Sequence, residues 1–210
     1  MPLMELLLVV VAIIVMASFF IYVYRKENSD AHKQKVKDLE APARASKALA
    51  AARRFAGENG CQILAPATLA KNGRYADLDF ILAGSFGLLC VKCIGLGGEI
   101  YGNAGDAKWL RVAGDEREPF NNPITEAAAD TRMVRDALFT AHLKNVPVET
   151  VCVFTNPKAT LALPRNTGHY TLKDFRELLD KEKYRADRHV EPEKALEAVR
   201  VWLAPDSAIK

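Results

Sequence analysis

The strongest constraint on this chain is an apolar run from Leu6 to Tyr24 that contains no charged residue. As a helix rising ~1.5 Å per residue, it would reach roughly the thickness of a hydrocarbon core. It offers no polar face, which a soluble core helix of this length would need. It also fits a cleaved secretory leader poorly. Nothing basic precedes it, the run is long, and no small-x-small site follows. Tyr22 and Tyr24 fall where interfacial aromatics sit. The expectation is one transmembrane helix within residues 1–24, a charged juxtamembrane linker over 25–41 and a folded domain over 42–210.

Charge sets the expected orientation. Residues 25–54 carry nine basic and four acidic side chains, whereas residues 55–210 carry 20 basic and 21 acidic. Basic residues on the C-terminal side of the span place the domain in the cytoplasm of a single-pass cell-membrane protein. The expected partner is membrane lipid, through residues 3–24 and the basic segment that follows. The near-neutral domain lacks the basic footprint of a strong nucleic-acid binder, so charge does not support nucleic acid as a partner. The four cysteines have no disulfide-framework spacing.

Past the linker, periodicity and punctuation predict a helix over 42–56, opened by Pro42 and ended by Gly57 and Gly60. Strands are expected at 61–64, 78–83, 88–94, 99–101 and 148–154, with a further edge-like strand at 108–112. Asn72-Gly73 is a turn signal. Asn122-Pro123 starts a helix reaching about Leu143, with an apolar stripe of Ile124, Ala128, Thr131, Val134 and Leu138. Further helices are expected from Thr171 and over 193–203. This order gives an α/β domain with a mixed sheet flanked by helices.

Several apparent motifs dissolve on inspection. Gly84-Ser85-Phe86-Gly87 precedes a strand, so it reads as a hairpin turn, not a nucleophile elbow. Gly95, Gly97 and Gly98 also lead into a strand, which argues against a phosphate loop. Cys90 and Cys93 have CxxC spacing, but residues three apart on a strand face opposite sides. Lys92 is the residue that needs an explanation. An unpaired ammonium in the apolar strand 88–94 would be costly, so a carboxylate partner is expected. Asp77, Asp79 and Glu126 are the candidates; an edge position that lets Lys92 reach water is the alternative.

From Asp77 to about Leu138 the chain resembles the nuclease-related domain family, NERD. The resemblance is carried by Asp79-Phe-Ile-Leu-Ala, Gly87-Leu-Leu-Cys-Val-Lys-Cys, Gly98-Glu-Ile-Tyr-Gly, Trp109, and Asn122-Pro123 followed by a helix. Spacing is ungapped from Asp79 to Gly102. The resemblance implies a restriction-endonuclease-like fold. It also implies a site where an Asp and a Glu on adjacent strands hold Mg or Mn while a Lys steadies the reacting charge.

This chain departs from that pattern. Asp79 matches the family Asp, but Lys92 stands where the Glu belongs and Ile94 where the Lys belongs. Glu126 stands where the family has Gln. A remnant site of Asp79, Lys92 and Glu126 is therefore expected, with the Lys92 ammonium in place of the ion and no cofactor. The protein would then be a pseudoenzyme acting as a binding or scaffold module. Two alternatives remain open. One is an active Mg- or Mn-dependent nuclease using Asp77, Asp79 and Glu99 or Glu126. The other is a structural membrane protein without a pocket function.

Overall fold

The computed structural model describes residues 41–165 and 167–204, together with Met16 and Ser18. The chain divides into two units, 1–40 and 41–210. Met16 and Ser18 of the first unit are helical and exposed. The expected transmembrane segment and charged linker otherwise lie outside the described residues. Among the described residues, no helix is long and apolar enough to cross a membrane.

The second unit is mixed α/β. Helix α1 (Ala41–Asn59) leads into β1 (Gln62–Leu64), β2 (Ala67–Lys71), β3 (Arg74–Leu78), β4 (Phe80–Gly84) and β5 (Gly87–Ile94). Then come β6 (Gly98–Tyr101), β7 (Lys108–Ala113), β8 (Glu116–Asn121) and helix α2 (Pro123–Thr140). The chain continues through β9 (Val148–Phe154), β10 (Ala159–Ala162), β11 (His169–Thr171), α3 (Leu172–Leu179) and α4 (Pro192–Arg200).

The main sheet has the order β1-β4-β5-β9-β11. Strands β1, β4 and β5 pair antiparallel, while β5, β9 and β11 run parallel. Both faces of this sheet are covered, which is why β4 reads as an unbroken apolar run and β5 as one broken only by Lys92. Ile81, Ala83, Leu88 and Cys90 pack with residues of α2 and α4. Leu82, Leu89, Val91 and Cys93 pack with residues of α1 and α3. The expected mixed sheet with flanking helices is thus present.

Two expectations about edges are corrected. Strand β5 is central, so Lys92 does not reach water along a sheet edge. Strand β7 is not an edge either, because it lies between β6 and β8 in a second sheet ordered β10-β6-β7-β8. The edges are β10 and β8, and in β8, Glu-Arg-Glu-Pro-Phe-Asn, Pro119 lacks the donor a central strand needs. The Asn72-Gly73 turn closes a β2–β3 ribbon, with φ of 51° and 73° at the two residues. Such positive φ at both central positions is what an Asn-Gly hairpin turn uses. The buried stripe of α2 contains Ala127 rather than Ala128, and the helix ends at Thr140 rather than Leu143.

Cys90, Cys93 and Cys152 behave as buried small hydrophobes. Cys90 and Cys93 lie in different core clusters on opposite faces of β5. Burial pushes the thiols of Cys90 and Cys152 up to about 12. In the unfolded chain such thiols titrate near 8.5. Between those values the unfolded state sheds protons that the folded state keeps, so stability falls as pH rises from about 9 toward 12. A thiol reagent at neutral pH is therefore expected to modify the half-exposed Cys61 first, and Cys90, Cys93 and Cys152 only on unfolding. Rapid native labelling of all four would contradict this packing.

Candidate functional site

Asp79 sits at the break between β3, which belongs to the small ribbon, and β4, which belongs to the main sheet. Its backbone N–H donates to Val91 O at 3.0 Å. Its carboxylate Oδ2 accepts the backbone N–H of Cys93 at 2.6 Å. The side chain therefore continues the β4–β5 ladder past the point where the β3 backbone turns away. A hydrogen bond to a carboxylate is stronger than its neutral equivalent, which suits a position that must hold diverging strands together.

Lys92 lies on the Cys90 face of β5, under α2. Its Nζ donates to Asp130 Oδ2 at 2.7 Å and to the backbone carbonyl of Asp77 at 3.1 Å. Both side chains of the ion pair are 15% exposed. One ammonium thereby ties β3, β5 and α2 together. Burial opposes the Lys92 charge. The hydrogen bond and charge of Asp130, with the fields of Asp77 and Glu126, outweigh it and hold the Lys92 pKa above its ordinary value. Burial raises the Asp130 pKa, and Lys92 and a backbone hydrogen bond from Asp77 offset this only in part.

Among the expected partners of Lys92, Asp77 contributes its carbonyl and Glu126 its field. Glu126 Oε1 itself accepts from Asn121 Nδ2 at 2.9 Å. The carboxylate at bonding distance is Asp130, which sequence reasoning did not select. The signal was there, since Asp130 follows Glu126 by four residues and so shares its helix face. Glu99 lies apart on β6 in the second sheet, where its carboxylate accepts the Tyr101 hydroxyl.

The remaining motif residues build the frame around this cluster. Gly98 has φ +96°, and a Cβ there would stand 2.5 Å from Val112 O. Ile100 is fully buried, and a Cβ on Gly102 would collide with the Trp109 indole. Trp109 Nε1 donates to Asn103 O at 2.8 Å. Asn122 caps α2 by accepting the Ile124 N–H at 3.0 Å. Its amide also donates to the carbonyls of Ala104 at 3.1 Å and Asp106 at 2.8 Å. The Asn-Pro motif thus fixes the 103–106 loop to the start of the helix that carries Glu126 and Asp130.

A model of the family described as "Nuclease-related domain" matches residues 40–155. The chain belongs to the nuclease-related domain family. That match runs from the first helix to just past the end of β9, and so contains Asp79, Lys92, Glu126 and Asp130. No curated protein and no solved structure matches the chain.

The donor set here does not suit the divalent ion that the resemblance implies. Lys92, where the resemblance would put a second metal-binding carboxylate, carries an ammonium, a donor with no lone pair while protonated. Asp79 Oδ2 is engaged by a backbone N–H. Among the described residues, no three His, Cys, Asp or Glu side chains converge as a metal-holding group. What the arrangement does chemically is neutralise a cluster of acids with a fixed internal cation.

Proposed function

We propose that this nuclease-related domain is a membrane-anchored pseudoenzyme. In this reading Lys92 occupies the place of the metal, and the domain serves as a binding or scaffold module. The observation that carries the reading is the 2.7 Å Lys92–Asp130 ion pair, flanked by Asp77 and Glu126. A cation that belongs to the chain needs no ion from solution, and it leaves no open coordination position to activate water. The membrane half rests on the uncharged run Leu6–Tyr24 and on the basic residues that follow it.

Two measurements test the two halves. The full chain, incubated with magnesium or manganese and single- or double-stranded DNA, is expected to leave both substrates intact. Metal-dependent cleavage that disappears in Asp79→Ala would overturn the pseudoenzyme reading and favour a rearranged nuclease site. Fractionated cells are expected to retain the protein in membranes after an alkaline carbonate wash. Release into the wash would remove the anchor from the proposal.

A further inference from the structure

We propose that the outward face of α1, with α3 beside it, docks on an anionic lipid surface. This rests on the membrane-anchored reading above and adds to it a second contact, made by the folded domain. Four of the nine basic residues in 25–54, namely Arg44, Lys47, Arg53 and Arg54, belong to α1 and not to the linker. The same helix carries a single acid, Glu58.

Helix stability does not account for these charges. The helix dipole favours acids in a first turn, and α1 has none there. No acid lies three or four residues from Lys47 or Arg53, so neither gains a partner along the helix. The inner side of α1 is apolar, and Ala48, Ala52 and Phe55 share a core cluster with Phe175, Leu178 and Leu179 of α3. Lys47, Arg53 and Arg54 are exposed. Lys47, Arg54 and Arg176 border an open groove between the two helices, which Ala51, Phe55 and Leu179 also line.

The acids on this face are already held. Glu58 pairs with Arg54 at 3.0 Å, Asp180 with Arg185 at 3.2 Å and Glu177 with Lys173 at 3.8 Å. Asp174 closes the capping box of α3. Lys47, Arg53 and Arg176 join no ion pair among the described residues. Cations on long apolar stems, set beside apolar side chains, suit the boundary between anionic headgroups and acyl chains.

The tether decides between lipid and nucleic acid. Each Lys or Arg near an anionic bilayer strengthens binding about fivefold, so three give about a hundredfold. That is weak for a free domain. Residues 55–210, with 20 basic and 21 acidic side chains, extend no basic track of the kind duplex DNA needs. A hundredfold suffices when the surface is already close. Only residues 25–40 separate the run Leu6–Tyr24 from α1, at most roughly 55 Å of extended chain. A bilayer held within that reach acts at high effective concentration.

The test places the full chain in nanodiscs of phosphatidylcholine, alone or with about one phosphatidylserine in three lipids, and reads lysine acetylation by mass spectrometry. With phosphatidylserine, acetylation of Lys47 is expected to slow about fivefold or more and to recover at about 0.5 M salt. Lys108 and Lys158, exposed at the second sheet, should not change. Arg53→Glu/Arg176→Glu keeps Lys47 as the reporter and should abolish the slowing at an unchanged melting temperature, since both side chains are exposed. If that variant folds poorly, the lipid and salt comparisons on the parent decide the matter. The proposal is overturned by no slowing at Lys47, by equal protection in both discs, by equal slowing of Lys108 and Lys158, or by slowing that persists in the folded variant. It is also overturned if duplex DNA, added to the phosphatidylcholine discs, shields Lys47 while phosphatidylserine does not. A chain that enters neither disc would refute the anchor alone. The same footprint, read on the chain mixed with excess phosphatidylserine vesicles, then decides the face by the same outcomes.

Discussion

Asp130→Ala is expected to destabilise the folded domain by about 3–5 kcal/mol, because it leaves the Lys92 ammonium buried and unpaired. The pair is only 15% exposed on each side, so solvent does little to soften that loss. Lys92→Ala should cost a comparable amount, by bringing Asp130, Asp77 and Glu126 together without their cation. Urea denaturation of the two single variants and of the double variant Lys92→Met/Asp130→Leu measures this. The double variant should recover most of the stability, because an apolar pair of similar volume carries no desolvation cost. The same series probes the idea that Lys92 stands in for an ion. Millimolar manganese should raise the melting temperature of Lys92→Ala, where a cluster of acids is exposed to an incoming cation. It should do so neither for the parent chain nor for Asp130→Ala. Equal small losses in both single variants would show that the pair is screened and structurally minor. No manganese response in Lys92→Ala would count against the ion-replacement reading.

Asn122→Ala is the second large effect, expected at about 2–4 kcal/mol. Loss of an N-cap costs about 1 kcal/mol, and carbonyls left without a donor in a buried setting add about 1–3 kcal/mol. Asn122 is 1% exposed, so water does not readily replace the missing amide. Asn122→Asp separates the two contributions. It keeps the cap to Ile124, but it removes the donor to Ala104 and Asp106 and sets a carboxylate against those carbonyls. Its thermal unfolding should therefore resemble that of the alanine variant. If Asp at 122 were as stable as Asn, the cap would be the whole contribution and the clamp on the 103–106 loop would be incidental.

These two residues show what kind of information the sequence carried. Asn122-Pro123 announces a helix start from local chemistry, because capping needs only residues two positions apart. The three additional carbonyls that Asn122 serves come from a loop 16 to 19 residues away, and no local pattern indicates them. Lys92 announces a need for a carboxylate, because an apolar strand cannot bury a free ammonium. Which carboxylate answers depends on how α2 crosses the sheet, and the crossing selects Asp130 over Asp79 and Glu126. The short strands β10 and β11, of four and three residues, are too brief to give a clear signal, and they pair with the open ladder edges of β6 and β9.

The sequence by itself determined the family and the mixed α/β class, since these follow from residue identity, spacing and burial period. It also placed the uncharged run Leu6–Tyr24, on which the membrane reading rests. Only the tertiary structure decided that Asp79 serves the β4–β5 ladder and that Asp130 holds Lys92. The physical reason is the range of the interactions. Capping, turn geometry and amphipathic period act within a few residues, whereas ion pairs and pocket walls are set by elements that meet only when the chain is packed.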